Sequence, residues 1–532
     1  MNRIAIYLNK IIDGVVYSAP GILEHYSTDR SLLKIHPRVV AVPENAMDVR
    51  RLVRFAYQLS QKNVPFPVTV RGAGYSKTGS ALGSGLVIST ERMNAIQEMD
   101  IRQRLVRVQC GATLGELKKA LNICGLDLPV FGDPNETIGG LIAKAASASN
   151  NTDPSTICDF VYRAEVVLGN GDVIEVSDLK AHRFSKKCEN DNLEGEIYRK
   201  IDALVDDKAG LISSIADHRD NRSGYSGIQN VKSKRSFNLM PLLCGSEGTL
   251  GIITEVILRA EPVFDDPNYV AIPCRTATAF VDTCQTLKAI GFTDIIFYDT
   301  ELFNAVDSTG KTSRFFRKAS DDGILVVANA KDDSVHVRRR KFRKLRRAMP
   351  DTVRVIEEDD ENFRDFLALE KALDAYLNDN TTYTFHLPLI DGVFIPPEKQ
   401  ADFLHGLDKI GEAMKIRTAV FGSADFNTFS VRPSFTLNTA EGRKAIIRFL
   451  SLYLGLIKEC GGQPCGSAPE GRLTAVFAKK YANKEETELY SRVKEIFDPQ
   501  NILNPGIKHD ANVKTTFQHF RADYNGGIIS SK

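Results

Sequence analysis

Hydrophobic positions along the chain switch between two periods, and the switch points delimit the elements. Apolar residues recur at helical spacing over 46–59, directly after Asn45, whose short polar side chain suits a helix start. The short runs 66–70 and 86–89 are largely apolar, and each predicts a buried strand. Residues 105–110 alternate and lead into Thr113-Leu114-Gly115-Glu116, a capping box that opens a helix reaching Asn122. Runs 164–168 and 173–176 flank Asn170-Gly171, which predicts a hairpin whose turn residues accept positive φ. A last glycine turn, Gly245-Ser246-Glu247-Gly248-Thr249-Leu250-Gly251, feeds a buried strand over 252–258.

The strand at 66–70 delivers the loop Arg71-Gly72-Ala73-Gly74-Tyr75-Ser76-Lys77-Thr78-Gly79. Glycine lets a ligand approach the main chain, and each N–H so freed can donate to a diphosphate oxygen. An ordinary glycine-rich turn satisfies the same spacing. The loop contains neither G-x-x-x-x-G-K-[ST] nor a G-x-G-x-x-G that opens a helix, so it lends nothing to a nucleoside triphosphatase or Rossmann reading. A second small-residue patch, Thr137-Ile138-Gly139-Gly140 and then 143–149 interrupted only by Lys144, leaves room for a flat ligand or for a tightly packed helix start.

Composition adds bounds. A chain of 532 residues, 43% hydrophobic, can bury more than one core and predicts two to four domains. With 69 basic and 67 acidic residues it has no global attraction to nucleic acid or membrane, so electrostatic function must be local. The nine cysteines are scattered, odd in number and never spaced C-x-x-C, which suggests a reducing compartment and argues against an iron–sulfur cluster or structural zinc. The first nine residues lack a secretory pattern, and no run of about 18 apolar residues occurs, so cytoplasmic residence is expected.

The order of blocks resembles the flavin-linked oxidoreductases of the vanillyl-alcohol oxidase and p-cresol methylhydroxylase type, and within them the D-lactate, glycolate and D-2-hydroxyglutarate dehydrogenase branch. The matching pieces are Tyr26-Ser27-Thr28-Asp29, Pro43 with the helix after it, the loop 71–79, Thr137 to Gly140, Asp159-Phe160-Val161, Asn221-Arg222-Ser223-Gly224-Tyr225, 245–255, and Phe497-Asp498-Pro499 with Leu503-Asn504-Pro505-Gly506. They span nearly the whole chain in family order. The resemblance implies an α+β protein: a two-lobed FAD-binding domain over 1–263 (core about 36–263), a cap or substrate domain with an antiparallel sheet over 264–484, and a C-terminal segment, 485–532, that returns to the FAD domain. It also implies that the main chain of Arg71, Gly72, Ala73, Gly74, Tyr75 and Ser76 holds the pyrophosphate, with Gly79, Thr137, Gly139 and Gly140 lining the cofactor. Ile253 would lie near the adenine and Asn504 would close over the flavin. Tyr75 stands where some relatives carry a histidine joined covalently to flavin, so non-covalent FAD is expected.

The departures bear on chemistry. The 2-hydroxyacid branch carries a G-H-x-G-D-G-N-x-H block and a later G-E-H-G-D-G block, whose two first-block histidines and glutamate hold a metal and whose last histidine acts as base. Here Ser423 takes the first histidine position, and Phe429 or Ser430 the second, depending on a one-residue gap. The later block, Gly466-Ser467-Ala468-Pro469-Glu470-Gly471-Arg472, has serine and alanine in place of glutamate and histidine. Serine is a poor ligand for a borderline-soft divalent ion, so no catalytic metal is expected. The arginine that relatives use for a substrate carboxylate has no clear counterpart in 366–377.

The expected activity is transfer of a hydride from a CH–OH donor, a hydroxyacid or related alcohol, to FAD. His386 is a candidate base, ahead of Pro388 and Asp391. Arg222 and Tyr225 in the N-x-S-G-Y block, with Arg432 and Arg472 beside the degenerate blocks, are candidates to supply positive charge or a donor. The partners expected are a small-molecule substrate and an electron acceptor: a quinone, a cytochrome, an electron-transfer protein or oxygen. Residues 338–347 hold eight basic side chains in ten positions, with Val337, Phe342 and Leu345 as a narrow apolar seam. A solvated cap helix explains them; docking to the inner face of an anionic membrane, at roughly 1 kcal/mol per basic residue, is the alternative. Nucleic acid is disfavoured because aromatic residues are not interleaved. A flavin-binding sensor or scaffold without catalysis is the other reading, supported by the joint loss of four polar cap residues.

Overall fold

The structure, a computed structural model, describes residues 2–148, 155–217, 223–263, 269–299, 302, 323–332, 334–349, 354–356, 384–436, 440–466 and 469–521. The helical period after Asn45 becomes the helix Ala46–Ser60, and Asn45 Oδ1 accepts from the Asp48 N–H at 3.0 Å. Val49, Leu52, Val53 and Ala56 form its buried face, packed in one core with Val39, Val68 and Leu86 of the neighbouring strands. Asp48 is buried too, and its carboxylate accepts from the N–H groups of Asp13, Gly14 and Glu44, which fastens the N-terminal segment to the helix start.

Those strands lie in a four-stranded sheet in the order Val15–Tyr17, Val39–Val42, Leu86–Ser89, Val68–Arg71, the last three mutually parallel. A five-stranded antiparallel sheet follows, in the order Val173–Ser177, Val161–Val167, Ile252–Arg259, Leu105–Gln109, Ile96–Asp100. The hairpin at Asn170-Gly171 is its edge, with Gly171 at φ +85°. Thr113 and Glu116 form the capping box of the helix Leu114–Asn122.

Among the described residues the second half builds an eight-stranded sheet. Its central path runs Tyr269–Cys274, Ile324–Asn329, Thr293–Asp299, Thr418–Ser423, Thr428–Thr436, all antiparallel. Strand alternation sends Phe429 and Val431 into a core with Phe280, Phe297, Phe403 and Tyr453 from the sheet and the helices Ala277–Ile290, Gln400–Met414 and Ala440–Glu459. The intervening Ser430 and Arg432 therefore take the opposite face. The chain then returns. Leu489, Tyr490, Val493 and Phe497 of the helix Lys484–Phe497 enter the core of the five-stranded sheet, while Ile502 O and Asn504 N pair with the two sides of Val68 at 2.8 Å each.

The cysteine pattern does not reveal one cross-link. Cys158 and Cys244 are joined, with S–S 2.06 Å and Cα atoms 6.0 Å apart across 86 residues of sequence. Tertiary contacts create the proximity: Gly245 and Glu247 donate their N–H groups to the carbonyls of Ile142 and Ala143, which sets Cys244 beside the segment leading to Cys158. Replacing both by serine is expected to lower stability by about 3 kcal/mol, as for a cross-link closing a long loop. Urea midpoints of oxidised, reduced and double-serine protein test this, and three equal midpoints would contradict it.

Candidate functional site

The glycine blocks converge on a cavity of about 380 Å³. One side is formed by Gly72, Ala73, Gly74, Tyr75 and Ser76, by Thr137, Gly139 and Gly140, and by Ser246, Glu247, Gly248 and Ile253. Asp391, Gly392, Phe421, Ser430 and Arg432 from the eight-stranded half form the other. A concave site between two lobes with few polar groups is where a cofactor and a small substrate can meet.

Each glycine on the first side has a physical reason. A Cβ on Gly72 would sit 2.1 Å from Thr137 Oγ1, and one on Gly139 would sit 2.9 Å from the Cys110 Cβ. Thr137 caps the helix Ile138–Ala143 by accepting from the Gly140 N–H at 3.2 Å, so loop, helix start and strand end close on one another only without side chains. Gly74 lies at φ +75° with Arg71 directly behind it. Among the described residues, the N–H groups of residues 72–76 donate to no other group, and they line the cavity. Cys110 also lines it, and burial pushes its thiol up to about 12, so it stays a neutral wall.

Behind the loop, Arg71 donates to Thr28 O at 2.8 Å and lies 5.3 Å from the Tyr26 ring centroid, away from the cavity. Burial lowers its pKa, an effect offset in part by Asp29. Asp29 accepts from Ser31 N at 2.9 Å and Ser31 Oγ at 2.5 Å, yet burial raises its carboxyl to about 6. Its folded pKa thus exceeds the unfolded value of 3.8, so this group's stabilisation falls as pH rises from about 4 to about 6 and stays lost above. Asp29→Asn is expected to remove that decline and to raise stability at pH 7.5 by on the order of 2 kcal/mol. Urea unfolding at pH 4.5 and 7.5 checks it; an unchanged pH slope would refute the assignment.

The other sequence candidates fall in different places. Arg432 lines the cavity, its guanidinium 2.5 Å from Asp391 Oδ2. Tyr225 is buried off the cavity with its hydroxyl 2.7 Å from Thr249 Oγ1, and burial raises its pKa. Arg472 donates to the carbonyls of Leu82 and Pro505 and to Asn504 Oδ1, and burial lowers it to about 10. His386 lies in the strand Thr384–His386 in register with Ser434. Arg222 lies outside the described residues. Gly79, at φ +79°, turns the loop beside Leu33. Asn504 stands behind the cavity, where its amide donates to Ser80 O and Glu247 O at 2.9 Å each and holds two lining residues in place. Ser423 Oγ donates to Ile295 O at 3.4 Å, and Ser430 Oγ accepts from Gly392 N at 3.2 Å.

Sequence reasoning missed Asp391 and Glu247 as site residues. Glu247 has φ +54°, accepts from Glu470 N and Gly471 N, and has Lys508 Nζ 3.5 Å away. Burial raises its pKa, with Lys508 opposing. Glu470 Oε1 in turn accepts from Gly224 N, so the N-x-S-G-Y, G-S-E-G, E-G-R and N-P-G blocks meet in one buried polar layer behind the cavity. An acidic residue inside a glycine turn was the available signal.

A two-lobed domain with unsatisfied N–H donors facing a second, sheet-based lobe suits a phosphate-bearing cofactor held between the lobes. Residues 37–177 match the FAD binding domain family and residues 266–507 the C-terminal domain of FAD linked oxidases. The chain thus carries, in order, the FAD-binding domain and the C-terminal domain of the FAD linked oxidases. It is 25% identical over 511 residues to a D-2-hydroxyglutarate dehydrogenase of Pseudomonas putida, covering 90% of this chain and 49% of that protein. It is 24% identical over 477 residues to a D-lactate dehydrogenase of Archaeoglobus fulgidus, covering 88% of this chain and 90% of that one. The chain thus spans about half the length of the first of these relatives. Among solved structures, p-cresol methylhydroxylase with substrate bound has a TM-score of 0.69 at 12% identity, covering 96% of both chains. The 4-ethylphenol oxidase of Gulosibacter chungangensis has 0.66 at 14%, covering 94% of this chain and 95% of that one.

FAD fits the residues present. The donors at 72–76 can meet its diphosphate, and Gly248, where an added Cβ would meet nothing within 4 Å, leaves part of the lining open to a flat ring system. FAD is the cofactor of this fold. When bound it supplies a two-electron acceptor.

Proposed function

We propose that the chain is an FAD-dependent oxidoreductase that oxidises a CH–OH donor held between the flavin loops and the wall formed by Asp391, Phe421, Ser430 and Arg432. The carrying observation is that one cavity is walled by both lobes. On this reading residues 72–76 bind the diphosphate, Asn504 and Arg472 position the loops, and the second lobe orients the donor and excludes water. Asp391, which lines the cavity, is placed to accept the hydroxyl proton. FAD is held non-covalently, with the ring of Tyr75 covered by the Arg30 guanidinium at 3.5 Å. A division at about 263 and 484 is supported by one core built mostly from 270–477 and another built from 106–260 with 489–497. The test is the visible spectrum of purified protein before and after anaerobic addition of an alcohol and hydroxyacid panel. Bleaching by one compound is expected; bound flavin that no compound bleaches would favour a flavin-binding scaffold, and acid-precipitable flavin would refute non-covalent binding.

A second surface bears on the electron acceptor. Arg339, Arg340, Arg343, Lys344, Arg346 and Arg347 are exposed on the helix Val335–Ala348, while Leu345 is buried and Phe342 packs edge-on to Phe292. Among the described residues no helix is long and apolar enough to cross a membrane. We read this helix as the face that meets an acceptor in an anionic bilayer. Pelleting with anionic vesicles, lost as salt rises and on charge reversal of 338–347, is the expected result.

A further inference from the structure

The wall opposite the flavin loops is charged but internally neutralised. Arg432 and Asp391 line it with side chains only 4% and 12% exposed, joined by the 2.5 Å contact between guanidinium and Oδ2. Lys144, the lining cation at the end of the helix Ile138–Ala143 on the flavin side, is held 2.6 Å from Glu136. Lys77 belongs to the glycine loop, among the diphosphate donors. Among the described residues, the lining cations beyond that loop, Lys144 and Arg432, thus each already face a carboxylate, Glu136 and Asp391. A ligand carboxylate beside Arg432 would have to face Asp391 at short range and share a guanidinium already engaged, an arrangement that like-charge repulsion and lost hydration both oppose. The sequence 366–377 adds no arginine, and its one cation, Lys371, lies outside the described residues.

The same pair asks for a different ligand group. Asp391 Oδ1 is buried with no hydrogen-bond partner in the described structure, although a carboxylate oxygen is an acceptor that calls for a donor. A ligand hydroxyl is such a donor. Ser430, beside it, uses its oxygen to accept from Gly392 N and so can aim its own hydrogen at a second ligand oxygen. Phe421 and Phe131 add apolar surface.

Resting on the oxidoreductase reading above, we propose that the donor is an uncharged alcohol, bearing a hydroxyl that donates to the Asp391 carboxylate, and that the Asp391 charge beside Arg432 excludes 2-hydroxyacids. Asp391 thereby sets specificity through charge.

The experiment is calorimetric binding to the holoprotein with its flavin reduced beforehand, so that no turnover intrudes. Shape-matched pairs serve as probes: D-lactate against (R)-propane-1,2-diol, and D-mandelate against (R)-1-phenylethane-1,2-diol. At least one diol is expected to bind, and to bind at least tenfold more tightly than its hydroxyacid. Asp391→Asn, which removes that negative charge, is expected to shift that ratio at least tenfold toward the acid. A hydroxyacid that binds wild type as well as its diol does overturns the proposal, as does failure of both diols to bind, or a ratio unmoved in a folded Asp391→Asn. Should that variant not fold, the wild-type comparison decides alone. Flavin bleached by D-lactate but not by the diols would sink the neutral-donor proposal and leave the oxidoreductase reading standing.

Discussion

Gly72→Val is expected to purify as a folded but colourless protein. The Cβ of any larger residue would fall 2.1 Å from Thr137 Oγ1 and 3.2 Å from Thr137 Cβ, on a short side chain that cannot swing clear without giving up the Gly140 N–H. Losing that cap costs about 1 kcal/mol and overpacking a further 1–3 kcal/mol. The strain is relieved by moving the loop, and the loop carries the N–H donors that face the cavity. FAD affinity should fall by roughly 100-fold, the equivalent of about 3 kcal/mol. Flavin absorbance per protein, with circular dichroism and melting temperature as controls, measures it. Gly21→Ala is the matched control, since no atom lies within 4 Å of its added Cβ. A Gly72→Val protein with a full complement of flavin would show that the close approach of loop and helix start is not what shapes the site.

Lys494→Met should have the largest effect on stability, a loss of about 3–5 kcal/mol. Lys494 is almost wholly buried, and its ammonium reaches Asp498 Oδ2 at 2.6 Å and the carbonyls of Thr249 and Leu503 at 2.8 Å. Burial lowers its pKa, and Asp498 is the chief opposing influence. Three charge-assisted bonds join the G-S-E-G-T-L turn, the helix Lys484–Phe497 and the N-P-G segment at one atom. Methionine fills the space but leaves Asp498 a buried charge with the Leu503 N–H, at 2.7 Å, and no cation on Oδ2. Lys494→Met/Asp498→Asn should recover part of the loss, because the uncompensated charge is then gone. Urea unfolding measures both variants; a single-variant loss below about 1 kcal/mol would mean that the pair is not what anchors the C-terminal segment.

Local elements were legible because their causes are local. The cap at Asn45, the box at Thr113 and Glu116, and the turn at Asn170-Gly171 each depend on a few adjacent residues, and the structure has the corresponding helix starts and hairpin. The alignment ambiguity between Phe429 and Ser430 could not be settled that way. Both are in one strand, and alternation puts Phe429 among Phe280, Phe297 and Phe403 while Ser430 faces the cavity. Arg472 and Arg432 looked equivalent as arginines beside degenerate blocks. The structure separates them, because one bonds to main-chain carbonyls of Leu82 and Pro505 and the other meets Asp391 at the cavity.

By itself the sequence determined the glycine loop at 72–76, the small-residue patch from Thr137 and the two domain families the chain carries, since these rest on short-range backbone requirements and on long contiguous strings. It also carried the absence of histidines from the 423–430 and 466–472 blocks, which is a matter of residue identity. Only the tertiary structure decided that Asp391 and Arg432, 41 residues apart, form a pair at the cavity, and that Cys158 and Cys244 are joined. Such contacts depend on strand register and on which face of a sheet meets another lobe, and a one-residue shift in either would exchange every partner.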